Sequence, residues 1–225
     1  MSVTHALYAK HVAEHIFLVY GVKLKRYSLI FGAIKPDVST VFAKYPHYIN
    51  LSLDNLCETT DMLIENVEGR KEMETRAFAR ELGVILHYIA DYFCRVHNDI
   101  NGQKHLKNFR HIWYEQRLHG VIKKYELEAL REEVTNDLDY DLKKIDMLSF
   151  EDYIIYKHNK YMKDAGKMYV YDNNKRRKQT DIKYSYKMEL LVASYIIKKI
   201  NDKTKLLGRW CEALGTDFLP QKRRN

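Results

Sequence analysis

Apolar side chains recur every three or four residues along most of this chain, which is the spacing of an α-helix. The longest such segment covers residues 71–96, where one stripe is formed by Phe78, Leu82, Ile85, Ile89, Phe93 and Val96. A second long segment covers residues 181–201, where the stripe contains Ile182, Tyr186, Leu190, Ala193, Ile197 and Ile200. We therefore expect two long helices that each bury one face.

Shorter segments with the same spacing predict further helices over residues 4–19, 51–67, 104–119, 122–144 and 149–164. Thr4 is a suitable N-cap for the first of these helices, and Gly21 is a suitable stop. The pattern is interrupted by the stretch from Gly32 to Pro36 and again around Pro46. Residues 165–180 are polar and basic, so they predict a loop or an insertion.

The composition supports a mostly helical chain. Only 9 glycines and 3 prolines occur in 225 residues, which is few for the many turns of a β-sandwich or barrel. The fold class expected is therefore all-α: one multi-helix domain over residues 1–225, with a core at 4–164 and a basic C-terminal extension at 165–225.

Three cysteines, an odd number without a CxxC pair, argue against a disulfide framework. The first residues have no secretory signal pattern, and no run of apolar residues is long enough to span a membrane. These features together predict a cytoplasmic protein.

Positive charge is concentrated in the C-terminal third. The segment from Lys157 to the end carries 18 basic and 7 acidic side chains, whereas the chain as a whole has a formal net charge of +8. Tyrosines are interleaved with these charges, for example Tyr184 and Tyr186. Such a segment suits a nucleic acid or an anionic membrane surface, although a solvated helical face explains it as well.

Histidines and carboxylates are spaced so that they would converge. His87 and Asp91 are four residues apart and share one face of the long predicted helix, and His111 and Glu115 repeat this spacing on the next one. His97 lies about 120° further round the helix that carries His87 and Asp91, or just past its end, so it suits a neighbouring metal ion. Imidazole and carboxylate are normal zinc ligands, and this arrangement predicts a zinc centre with more than one ion.

Another pair at the same spacing, His11 and His15, lies on the first predicted helix. We expect this pair to face solvent.

The segment His87-Tyr-Ile-Ala-Asp91, the following His97 and the segment His111-Ile-Trp-Tyr-Glu115 resemble the core of the zinc-dependent phospholipase C family. The same helical fold is used by lecithinase-type phospholipases C and by fungal zinc nucleases specific for single strands. The N-terminal Thr4-His5 resembles the start of the family's first helix. The stretch Gly32-Ala-Ile-Lys-Pro36-Asp37, followed by His47, resembles the family segment that bears an Asp and then a His. The resemblance covers about residues 4–120.

The resemblance implies three metal positions. One zinc ion would be held by His47, His87 and Asp91, with Asp37 as an added ligand or as the general base. A second zinc ion would be held by His97, His111 and Glu115. A third would be held by His5 and a bridging Asp91. Secreted members complete that third position with an N-terminal Trp, for which the amine of Ser2 would have to substitute here.

The activity implied by the resemblance is hydrolysis of a phosphodiester by a metal-activated water, with Asp37 as the catalytic residue and two or three zinc ions as the cofactor. A phospholipid head group is the expected substrate, and the basic C-terminal third would make a peripheral membrane contact. Two alternatives stay open: a nuclease acting on single strands with the same metal core, and a metal-binding protein without activity.

Overall fold

The computed structural model describes residues 2–39, 46–98, 109–122, 126–167 and 174–214. In these ranges the chain forms nine α-helices and one short 3-10 turn, and no strand occurs in them. The helices are α1 (Ser2–Tyr20), α2 (Arg26–Val38), α3 (Ile49–Glu65), α4 (Arg70–Met73), α5 (Arg76–Tyr92), α6 (Phe109–Ile122), α7 (Leu127–Leu148), α8 (Phe150–Lys167) and α9 (Asn174–Leu214). The expected all-α fold is confirmed.

Helix α5 lies at the centre of the fold. It begins after Thr75, whose side-chain oxygen accepts a hydrogen bond from the backbone N–H of Phe78, as an N-cap does. Its apolar stripe, predicted from the spacing, is buried, and the helix ends at Tyr92. The 3-10 turn Arg95–His97 follows, so the predicted segment 71–96 contains α4, α5 and this turn instead of one continuous helix.

The predicted interruption between Gly32 and Pro36 is wrong, because α2 continues through both residues to Val38. Here glycine provides a close approach of two helices. A Cβ atom added at Gly32 would lie 2.1 Å from the carbonyl oxygen of Arg80, and one added at Gly83 would lie 2.3 Å from the carbonyl oxygen of Leu29. Helices α2 and α5 therefore pack backbone against backbone, and this packing holds the proline-containing turn in helical form.

The predicted loop at 165–180 is also wrong where the structure describes it. Helix α8 continues to Lys167, and α9 begins at Asn174. Helix α9 is 41 residues long, and its apolar side chains between Ile182 and Ile200 belong to the same buried core as those of α1 and α5. The middle of α9 is thus an inner helix, although its positive charge sets this part of the chain apart in the sequence.

Two contacts fix α9 against distant parts of the chain. The Nε2 atom of His15 on α1 lies 3.0 Å from the Ser194 hydroxyl in the core, so the prediction that this histidine faces solvent is wrong. Lys203 donates hydrogen bonds to the carbonyl oxygens of Ile64 and Glu65, where a cation is favourable at the end of α3. None of the described helices is both long enough and apolar enough to cross a bilayer.

Candidate metal centre

Six side chains from five parts of the chain meet at one end of the α2–α5 pair. His5 comes from the first turns of α1, Asp37 from the last turn of α2, and His47 from the segment that leads into α3. His87 and Asp91 lie one turn apart on α5, and the remaining member, His97, ends the 3-10 turn. The site is largely buried, with His47 the most exposed of the six at 18%.

Asp91 is the centre of this cluster, because its two oxygens face different histidines. Its Oδ2 lies 2.6 Å from Nδ1 of His47 and 3.2 Å from Nε2 of His87. Its Oδ1 lies 3.4 Å from Nε2 of His5 and 3.3 Å from Nε2 of His97. A carboxylate with imidazoles on both sides is placed to bridge two cations.

The orientation of His87 is fixed from behind by the backbone. Its Nδ1 lies 2.8 Å from the carbonyl oxygen of Ala33 on α2, and since a carbonyl only accepts, Nδ1 carries the proton. The lone pair of a neutral imidazole is then on Nε2, which lies 3.3 Å from Nδ1 of His47 and 3.5 Å from Oδ1 of Asp37. Histidine ligands of metals are held in this way by a second partner on the other ring nitrogen.

The protonation states suit metal binding. Burial lowers the pKa of His87, although the Asp91 carboxylate opposes that change. Burial alone would raise the pKa of Asp91, but the surrounding imidazoles outweigh it: His97 and His87 through electrostatic interaction, and His47 and His5 through hydrogen bonds, hold that pKa well below its usual range. The site thus favours a carboxylate anion beside a neutral His87, which are the forms that bind metals.

Two overlapping sets of ligand atoms are close enough to hold a cation. The first is His47, His87 and Asp91, and the second is His5, Asp37 and His87; within each set, the ligand atoms lie within 4.8 Å of one another. Oδ2 of Asp37 is buried and has no hydrogen-bond partner among the described residues. An orphaned buried oxygen of this kind costs about 1–3 kcal/mol, which a bound cation would remove, so the residues present fit zinc.

The structure thus brings together six of the eight residues singled out in the sequence: His5, Asp37, His47, His87, Asp91 and His97. The other two, His111 and Glu115, belong to α6, but their side chains lie outside the described residues. The first set contains the three residues expected to hold one zinc ion. The second set joins His5 to Asp37 and His87, and His5 also lies 3.4 Å from Asp91, with which the resemblance paired it.

Two buried carboxyl groups on α9 were not singled out in the sequence. Asp181 accepts hydrogen bonds from the hydroxyls of Tyr114 and Tyr161 and from the backbone N–H of Arg95, and burial raises its pKa to about 6. Glu189 is fully buried, and neither of its oxygens has a hydrogen-bond partner among the described residues. Burial, and then the charge of Asp91, raises the pKa of Glu189 well above its usual range.

A signal for Glu189 is present in the sequence, because it is the only charged residue between Met188 and Ile197 on an otherwise apolar stretch. A polar group inside an apolar helix needs a partner, and this holds for Glu189 as it does for His87 and Asp91.

An all-helical protein with histidines from four segments around one buried aspartate belongs to the class of helical metalloproteins with an N/O ligand set. A sequence profile described as zinc dependent phospholipase C matches residues 4–168, which is most of the chain, and the chain belongs to that family. No curated protein and no solved structure gives a significant match.

Proposed function

We propose that this protein is a zinc-dependent phosphoesterase that hydrolyses a phosphodiester, with a phospholipid head group as its substrate. The observation that carries the proposal is the arrangement around Asp91, in which four histidines and Asp37 gather at one buried carboxylate within the part of the chain that matches the family. The whole chain, residues 1–225, is proposed to act as a single helical metal-binding domain, because α9 packs into the same core as α1 and α5.

The residues of the cluster have separate roles in this proposal. His47, His87 and Asp91 would hold one ion, His5 and Asp91 a further one, and His97, His111 and Glu115 the remaining one. When bound, zinc supplies positive charge for the phosphoryl oxygens and lowers the pKa of water.

Asp37 is proposed as the general base or as the residue that orients the attacking water. It is at the edge of the cluster with a side chain only 9% exposed, and its Oδ2 has no other partner among the described residues. A carboxylate in this position can accept a proton from water while its Oδ1 stays near His87. The Ala33 carbonyl keeps the Nδ1 proton on His87 throughout, so this histidine is a ligand and not a proton carrier.

The first test is the metal content of purified protein by plasma mass spectrometry. We expect two or three zinc ions per chain, and the His87→Ala variant should lose at least one of them. The matched control is His15→Ala, which removes another buried histidine that contacts Ser194 outside the cluster and should leave the zinc content unchanged. Less than one tightly bound metal per chain, with no change in His87→Ala, would refute the proposal.

The second test separates catalysis from metal binding. The Asp37→Asn variant should keep most of its zinc but lose roughly 100-fold or more in kcat on a phosphodiester, as expected for removal of a general base. A phosphorylcholine ester and a single-stranded oligonucleotide should be compared as substrates of the wild type. Cleavage of the ester alone supports the phospholipase activity, whereas cleavage of the oligonucleotide alone would assign the centre to a nuclease.

A further inference from the structure

A cavity that shares no described lining residue with the metal centre lies where the start of α2 meets the start of α5. It is a groove of about 570 Å³, which we call the basic groove. Five of its lining residues are cations: Lys23, Lys25, Arg26, Arg76 and Arg80. Among the residues that the structure describes, no carboxylate lines it.

Beside the groove, the carboxylate of Glu74 accepts a hydrogen bond from the backbone N–H of Lys23. Its negative charge acts on Arg70, which lies 3.4 Å away and does not line the groove, and on Lys25, so this one carboxylate stands against five lining cations. The basic groove therefore keeps a strong positive charge, and a partner of complementary charge must be an anion.

Two aromatic side chains lie exposed among these cations. Tyr27 and Phe31 are one turn apart on α2, so they share a face, and they are 79% and 46% exposed. The guanidinium of Arg26 lies 5.2 Å from the Tyr27 ring centroid, and that of Arg80 lies 5.4 Å from the Phe31 ring centroid. Aromatic rings beside cations are the combination that anchors proteins at the head-group level of a bilayer.

Two further exposed apolar side chains lie close to the groove residues in the sequence. Phe17 and Leu18, in the last turn of α1, are both more than half exposed and come shortly before Lys23. Leucine and phenylalanine side chains gain free energy by entering the apolar edge of a bilayer, whereas a nucleic-acid strand offers no comparable environment to leucine. The mixture of cations and apolar groups thus favours a lipid surface over a nucleic acid.

The basic groove is separate from the metal centre. Phe31 and Asp37 are six residues apart on α2, and Arg80 and His87 are seven apart on α5, so about 10 Å of helix lies between the two sites on each helix. Within the described ranges, no residue lines both sites.

We propose that the basic groove is a docking surface for an anionic phospholipid bilayer. Head-group phosphates would contact the five cations, and Tyr27 and Phe31 would enter the interface. This role extends the proposed function, since it would hold the protein at a lipid surface, but it requires neither zinc nor hydrolysis. It also places the membrane contact on α2 and α5, whereas charge in the sequence points to the C-terminal third.

The test is co-sedimentation of the full chain with vesicles of phosphatidylcholine alone and of phosphatidylcholine with phosphatidylserine. We expect the wild-type protein to bind the anionic vesicles and to dissociate from them as the salt concentration is raised. Each cation near the surface is worth about fivefold in the partition coefficient, so Arg76→Gln combined with Arg80→Gln should lower it about 25-fold. The matched control is Lys143→Gln with Lys163→Gln, which neutralises two exposed cations on α7 and α8 and should bind like wild type.

Two further variants make the experiment decisive. Tyr27→Ser with Phe31→Ser should weaken binding without changing its salt dependence, whereas neutralising Lys222, Arg223 and Arg224 should leave binding unchanged. All variants are compared only where their circular dichroism and thermal midpoint equal those of wild type. The His87→Ala variant should still bind vesicles, so failure of the metal centre and failure of the groove are distinguishable.

Three results would overturn the proposal. One is equal binding of wild type to neutral and anionic vesicles. Another is loss of binding only when the C-terminal cations are neutralised. The third is binding of a single-stranded oligonucleotide that depends on Arg76 and Arg80 while vesicles are not bound at all.

Discussion

Replacing Gly83 by alanine should disturb the metal centre through the backbone, although Gly83 is not itself a ligand. An added Cβ at this position would lie 2.3 Å from the carbonyl oxygen of Leu29 and 2.7 Å from the backbone nitrogen of Ala33. To reach an ordinary contact distance, α2 and α5 must separate by about 1 Å. The hydrogen bond from His87 to the Ala33 carbonyl, now 2.8 Å, would lengthen to about 3.8 Å and be lost.

The expected free-energy change follows from three contributions. Overpacking costs about 1–3 kcal/mol, and the lost hydrogen bond costs about 1 kcal/mol. The better helix propensity of alanine returns about 1 kcal/mol. We therefore expect Gly83→Ala to lower the free energy of unfolding by about 1–3 kcal/mol. The matched control is Gly166→Ala on α8, where no described atom lies within 4 Å of an added Cβ and stability should rise by up to about 1 kcal/mol.

The assay is urea unfolding of both variants beside wild type, with zinc content measured on the same samples. Gly83→Ala should lose both stability and zinc, whereas Gly166→Ala should lose neither. If Gly83→Ala is as stable as Gly166→Ala and binds as much zinc as wild type, then the two helices are not held as closely as the geometry indicates, and the reasoning fails.

The remaining predictions concern buried titratable groups and the metal. Glu189→Met should raise the free energy of unfolding by about 1–3 kcal/mol, because it removes a buried carboxyl without a partner among the described residues; an unchanged or lower value in urea unfolding would contradict this. The pKa of Asp181 is raised from 3.8 to about 6 on folding, so the folded chain binds this proton more tightly and its contribution to stability is lost as pH rises across that interval. The thermal midpoint of wild type should therefore decrease as pH rises across that interval, and that of Asp181→Asn should not. A pH profile of the variant parallel to that of wild type would contradict this prediction. Burial lowers the pKa of His15 from 6.5 to about 4, so its contribution is lost as pH falls across that range, and His15→Gln should be less sensitive to acid there in the same assay. Removing zinc with a chelator should lower the thermal midpoint, since a ligand at about 1,000 times its Kd adds about 4 kcal/mol; an identical midpoint with and without chelator would show that the folded chain binds no zinc.

Local spacing predicted the part of the site that one helix carries. His87 and Asp91 could be paired from the sequence because side chains four residues apart on a helix share a face, and the structure places their Nε2 and Oδ2 atoms 3.2 Å apart. His5, Asp37 and His47 belong to other segments, and only the family resemblance pointed to them. Contacts such as that of His47 with Asp91, which are 44 residues apart in the chain, depend on how the helices pack.

The wrong predictions share one cause: tertiary contacts outweighed the local conformational or solvent preference of the residues. Gly32 and Pro36 are typical of a break, yet α2 continues because its backbone packs against α5. His11 and His15 have the spacing of a solvated pair, but His15 is buried and contacts Ser194, which is 179 residues away. Glu189 escapes notice because a single carboxylate on a basic helix is usually exposed, whereas α9 is an inner helix over this stretch.

The position of α9 has a consequence for how the chain folds during synthesis and for where it can be truncated. The family match ends at residue 168, before α9 begins at Asn174, so a fragment cut at the end of that match would contain every proposed ligand and lack the helix that packs against α1 and α5. The apolar side chains of α9 between Ile182 and Ile200 pack against α1, α5 and α7, and without them those helices would expose apolar faces to water. During synthesis on the ribosome, the helices that carry the proposed ligands cannot complete their core until α9 has emerged. A shortened chain made for expression or crystallisation therefore has to extend through α9.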